Sequence, residues 1–156
     1  MQLIGFNLKK VSASRSPDFK RGSINTNIEF SDVIKEKLDL LKDTEALKIA
    51  FIFSILYSEK EMNPENQEKN QETKSEKSQG EVTFEGDILF SANKEEAKEI
   101  TKSWKKKQIP EQFRLPMINF ILKKCSVKAL SLEEDLNLPS HIPFPQVRKG
   151  NQEQNQ

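Results

Sequence analysis

The chain has 156 residues, with 25 Lys and Arg balanced by 24 Asp and Glu, one His and one Cys. At this length a single core can bury roughly 70% of the surface exposed on unfolding. Leu, Ile, Val and Phe make up about 27% of the residues, above the roughly 20% of wholly disordered chains, and a net charge of +1 gives no chain-wide electrostatic footprint for nucleic acid. Cys125 is alone, so no intramolecular disulfide can form and a reducing compartment is the default. No apolar run approaches the roughly 20 residues that cross a bilayer, and the N-terminus lacks the basic-then-apolar pattern of a signal peptide. A cytoplasmic protein with no stable membrane insertion is expected.

In chain order, Ile4, Phe6 and Leu8 alternate, and Val11 and Ala13 continue one residue out of step. A bulge near Lys9-Lys10 accounts for that slip. Pro17 and Gly22 bracket a turn, after which Ile24, Ile28 and Phe30 read as a second strand. Ser31 can cap a short segment in which Val33, Ile34, Leu38 and Leu41 fall near helical spacing, although Asp39-Leu40-Leu41 could equally open an extended stretch. Residues 46–57 alternate strongly: Leu47, Ile49, Phe51, Phe53, Ile55 and Tyr57 form one face. Ala50, Ile52 and Leu56 add apolar groups to the other, so cover on both faces is expected, from helices or from another subunit. From Glu59 to Gly80 the chain is almost wholly polar and reads as a mobile loop, because it offers too little apolar surface to offset its ordering entropy. Val82, Phe84, Ile88 and Phe90 then form a fourth strand, with Gly86 marking a bulge or close backbone approach.

Beyond that strand the period changes. Asn93 and Glu96 have the spacing of a capping box, and Ala97, Ile100 and Trp104 make a narrow apolar stripe. A second helix starts near Pro110 and runs to about Cys125, with Pro116 expected to kink it or delay its start. Phe113, Met117, Phe120, Ile121 and Cys125 share one face, and Leu115, Ile118 and Leu122 another. A helix so apolar around its circumference is buried or supplies an interface. The prolines of residues 138–145 impose an extended ending, and the tail 148–156 is polar like the loop. There is no internal repeat.

No catalytic constellation emerges. His141 has no partners for a triad or a metal site, Cys125 reads as a small buried hydrophobe, and the scattered glycines form no phosphate loop. Glu133-Glu134-Asp135 reads as a solvated acidic turn. Lys102–Lys107 around Trp104 could combine phosphate contact with base stacking, but the helical spacing of Trp104 favours an indole anchored in the core. What stands out is surplus apolar surface, with ten Phe. Such surplus goes into oligomerisation or into a groove for apolar ligands.

The opening Leu8-Lys9-Lys10-Val11-Ser12-Ala13-Ser14, with Pro17 after it, resembles the first strand of the SecB family of export chaperones. Ile49–Ser58 is similar to that family's long apolar strand, and Gly80–Phe90 to its next strand. Pro110-Glu111-Gln112-Phe113-Arg114-Leu115-Pro116-Met117 resembles the entry to its main helix. The ending Leu138–Val147 is similar to the closing segment of its archaeal relatives. The resemblance implies one α+β domain over residues 1–147, a four-stranded antiparallel sheet with flanking helices, interrupted by the 59–80 loop. It also implies a non-enzymatic, ATP-independent and cofactor-free holdase that binds unfolded or export-bound polypeptides in apolar grooves and assembles as a dimer or tetramer. Groove residues are then expected among Phe84, Phe90, Trp104, Phe113, Met117 and Phe120, and interface residues among Ile52, Leu56, Ile118 and Leu122. Lys10 and Ser14 stand where the family's first strand carries acids, which tells against a translocase motor as partner. A dedicated module for a single partner, of the antitoxin-chaperone kind, and a nucleic-acid binder using Lys102–Lys107 are the alternative classes.

Overall fold

Period-two alternation builds the centre of the molecule. The computed structural model describes residues 1–37, 44–59 and 77–147. In it, β1 (Gln2–Arg15), β2 (Gly22–Glu36), β3 (Glu45–Glu59) and β4 (Ser78–Ala92) precede two helices, α1 (Lys94–Trp104) and α2 (Glu111–Asp135). The strands form one antiparallel sheet in the order β1-β4-β3-β2. The meander β2-β3-β4 with β1 returned beside β4 is a Greek-key order, and the class is α+β, as the sequence indicates.

Leu47, Ile49, Phe51, Phe53, Ile55 and Tyr57 of β3 are at most 1% exposed and share a core with Val82, Phe84, Ile88 and Phe90 of β4. Both helices cover this inner face, through Ala97 and Ile100 of α1 and through Phe113, Met117, Ile121, Cys125 and Ala129 of α2. Phe53 and Phe84 stack at 5.8 Å, a pairing that adds about 0.5–1.5 kcal/mol to the burial of the rings. The outer face, with Ala50, Ile52 and Leu56 half-buried, is covered by no other element among the described residues.

Bulges correct the alternation at several points. The slip in β1 falls at Lys9, between Leu8↔Gly86 and Lys10↔Glu85, and a second slip at Ile4 leaves that residue 45% exposed while Leu3 takes the inward position. In β2 the extra residue is Ser31. The helical spacing that begins at Val33 and Ile34 is therefore strand on both sides of a bulge, and Leu38 and Leu41 lie outside the described residues. The polar stretch expected to be a loop is shortened as well: Glu59 ends β3, and Gln79 and Gly80 are buried in β4. Gln79 is an extra residue opposite Tyr57 and Ser58. Its amide accepts from the Lys20 N–H at 2.6 Å and donates to the Lys20 carbonyl at 2.8 Å, which pins the six-residue connection that carries the chain from one sheet edge to the other. Residues 60–76 and 148–156 lie outside the described residues.

The capping box forms as expected: Asn93 Oδ1 accepts from the Glu96 N–H, and the Glu96 carboxylate accepts from the Asn93 N–H. Helix α2 begins at Glu111 and passes through Pro116, so there is no late start, and it continues past Cys125 to Asp135. Pro116 and Gln112 are both exposed, so water can replace the donor that proline removes from the Gln112 carbonyl.

Candidate polypeptide-binding surface

The site begins at an edge strand. Among the described residues β2 carries no neighbour on its outer side, so its backbone N–H and C=O groups on that side are paired with none of the described strands. The side chains it turns inward, Ile28, Phe30 and Val33, are only half-buried. Beside Phe30 lies the connection between the helices. α1 ends on Trp104, and Lys107 takes a left-handed conformation (φ 56°) that turns the chain toward α2. The result is a cavity of about 380 Å³ in which Phe30, Trp104 and Ile109 face the polar side chains of Lys107, Gln108, Glu111 and Arg114. Lys107 Nζ sits 4.6 Å from the centre of the Trp104 ring, a cation–π contact that covers the indole on one side. A segment laid along β2 could therefore take main-chain hydrogen bonds from the edge and seat an apolar side chain between Phe30 and Trp104.

The opposite edge, β1, offers a second apolar strip. Phe6 lies 5.7 Å from Phe51 and 5.6 Å from Phe120, and Phe120 remains half-buried with Lys124 over its ring. The residues expected to line a groove thus separate into two sets. Trp104 and Phe120 flank the two sheet edges with accessible surface. Phe84, Phe90, Phe113 and Met117 are between 0% and 8% exposed and form the core of this chain, so they line no groove in it. The expected interface residues separate too: Ile52 and Leu56 lie half-buried on the uncovered outer face, and Ile118 and Leu122 half-buried on α2.

A buried polar cluster at the far end of α2 went unread in the sequence. Glu133, expected in a solvated turn, is 1% exposed. Its Oε1 accepts from the Tyr57 hydroxyl at 2.6 Å and the His141 backbone N–H at 3.1 Å, and lies 2.8 Å from His141 Nδ1. Its Oε2 is buried with no partner among the described residues. His141 Nε2 faces Ser126 Oγ at 3.4 Å, and the ring meets Phe53 edge-on at 6.3 Å. Burial, and then the hydrogen bond to Glu133, push the Tyr57 phenol well above its usual range. The Ser–His–Glu order is that of an acyl-transfer relay. Ser126, however, sits in mid-helix, where the nearby backbone N–H groups are spent on the helix itself, so the relay lacks an oxyanion donor. The available signal was the four-residue spacing Phe113, Met117, Ile121, Cys125, Ala129, Glu133, which places the carboxylate on the buried row. Among the described residues no three His, Cys, Asp or Glu side chains gather as metal ligands, and no helix is long and apolar enough to cross a membrane.

Comparison with known proteins returns little. No family model and no curated protein matches the chain. Among solved structures, the Mycobacterium tuberculosis Rv1957 SecB-like chaperone, in complex with a ChAD peptide from the Rv1956 HigA1 antitoxin, aligns over 94% of this chain and 91% of its own, at 13% identity and a TM-score of 0.42.

Proposed function

We propose that this chain is a SecB-like holdase. It holds extended, partly apolar polypeptide segments without ATP or a cofactor and works as a homo-oligomer. The observation that carries the reading is the pairing of a 15-residue edge strand, unpartnered among the described residues, with a cavity beside it that sets Phe30 and Trp104 among polar and charged side chains. The edge supplies sequence-independent hydrogen bonds, and the cavity supplies tolerant apolar contact from Phe30 and Trp104, rigid rings that give large contact area with few rotors. The order of strands and helices agrees with what the resemblance to the SecB family implies, and the uncovered outer face around Ile52 and Leu56 suits burial against a second subunit.

The deciding experiment is suppression of aggregation. At stoichiometric ratio the purified protein should keep several chemically unfolded proteins soluble, and Trp104→Ala should weaken its binding of a permanently unfolded polypeptide by about tenfold, the scale of an aromatic anchor. Failure with every substrate would remove the main support. Co-purification of one dominant partner would narrow the role to a dedicated chaperone. Salt-dependent binding of single-stranded nucleic acid, lost on reversing Lys105, Lys106 and Lys107 to Glu, would replace the reading.

A further inference from the structure

The segment after α2 makes, within the chain, contacts of the kind a client would make. Asn137 adopts a left-handed conformation (φ 52°), with the Leu138 N–H donating to the Glu133 carbonyl and the Asn137 N–H to the Glu134 carbonyl. This Schellman arrangement folds the chain back onto its own helix. Pro139, Pro143 and Pro145 then keep it extended. Leu138 is 7% exposed and approaches Gly80, which Tyr57 also adjoins, on the inner face. The His141 side chain, 2% exposed, is fastened to Glu133 and rests on Phe53. Past His141 the grip fails: Ile142, Phe144 and Val147 are 40%, 61% and 105% exposed. Between the segment and α2 there remains a cavity of about 540 Å³, walled by Val127, Leu130, Leu138 and Phe144.

We propose that residues 136–147 form a displaceable strap, an internal competitor for the apolar surface of the sheet and α2, held chiefly by the buried Leu138 and by the contacts of His141 with Glu133. The inference rests on the holdase reading and adds a regulatory step to it. Three features suit the strap to release. Beyond the helix cap its polar hold centres on one buried carboxylate, Glu133, one oxygen of that carboxylate has no partner among the described residues, and none of those residues fills the space beneath its distal half. Lifting it would open the Leu138 seat and expose Phe53 and Tyr57 to a client segment of the same kind, extended and interrupted by apolar side chains.

The test uses the full chain and, as probe, a reduced and carboxymethylated protein that cannot refold. Hydrogen exchange of the amides in 138–141 should quicken about tenfold or more in His141→Ala, the effect of removing one partner from a buried hydrogen-bonded pair. Affinity for the probe should rise with it. In the unsubstituted protein, saturating probe should by itself quicken exchange in 138–147. Phe144→Ser, at an exposed position, should shift both readouts in the same direction by less, and it serves if His141→Ala does not fold. A strap that stays protected while the probe is bound, or one freed by substitution with no gain in affinity, overturns this inference and leaves the holdase reading intact. No probe binding by any of the three proteins overturns both.

Discussion

Single residues set several limits that can be measured directly. Gly86 faces the bulge of β1, and a Cβ there would lie 2.3 Å from the Asn7 carbonyl oxygen and 3.1 Å from the Phe51 ring. Gly86→Ala should therefore destabilise the fold by about 1–3 kcal/mol, the usual penalty for overpacking, readable in denaturant titration. Tyr57 is the only tyrosine, which makes its ionisation easy to follow by ultraviolet absorbance. Its folded-state pKa is raised, so the stability it contributes is fully present below the free phenol value of about 10 and is lost as pH rises above it. The native protein should show no phenolate through the range where free tyrosine ionises, and the signal should appear only with alkaline unfolding. Cys125, fully buried, has its thiol pushed up to about 11 by burial. At pH 7–8 it should resist a thiol reagent in the folded protein and react at once in denaturant.

At the scale of elements, capping and spacing decide where structure starts and which way it faces. Asn93→Ala removes the acceptor for the Glu96 N–H and should cost about 1 kcal/mol, seen as a lower midpoint of unfolding. The same Asn93 backbone donor holds the Glu96 carboxyl below its usual range. Its contribution is therefore present above the ordinary carboxylate pKa and fades as pH falls below it. Helix α2 shows why a helical pattern can be read correctly and still mislead. A four-residue repeat exceeds 3.6 residues per turn, so each step drifts about 40° round the axis, and the buried row turns about 200° between Phe113 and Glu133. Near the start that row lies among residues legible as one apolar face. At the far end it has rotated away from them, which is why Glu133 read as solvated and His141 as unpartnered. In the strands, one-residue bulges at Ile4, Lys9 and Ser31 did the corresponding work. The slip at Lys9 left a trace in the alternation. The other two did not, because Leu3 beside Ile4 and Val33 beside Ile34 are equally apolar.

The described residues form a sheet with one face closed by the helices, one face open and two edges that none of these residues pairs. Long unpaired edges are a liability for a monomer, since they template pairing with other chains. Here both edges adjoin partly exposed aromatics, Phe30 and Trp104 on one side and Phe6 and Phe120 on the other. The open face leads to a further expectation: sedimentation or light scattering should show a dimer or tetramer, and Ile52→Lys with Leu56→Lys should shift it toward monomer while leaving the monomer folded, because neither side chain belongs to the inner core. An unchanged oligomer would move the interface to α2 or to a sheet edge.

The sequence by itself determined the α+β class, the four antiparallel strands and the capped first helix. Each follows from local periodicity or from the presence of particular side chains. Only the tertiary structure decided which of Phe84, Phe90, Trp104, Phe113, Met117 and Phe120 remain within reach of a partner, and that Tyr57, Glu133 and His141 meet. Alternation and helical spacing say that a side chain is apolar and which neighbours share its face. Whether that face closes against the rest of the chain depends on strand order, register and the drift of a long helix over a twisted sheet, none of which is written in a local pattern.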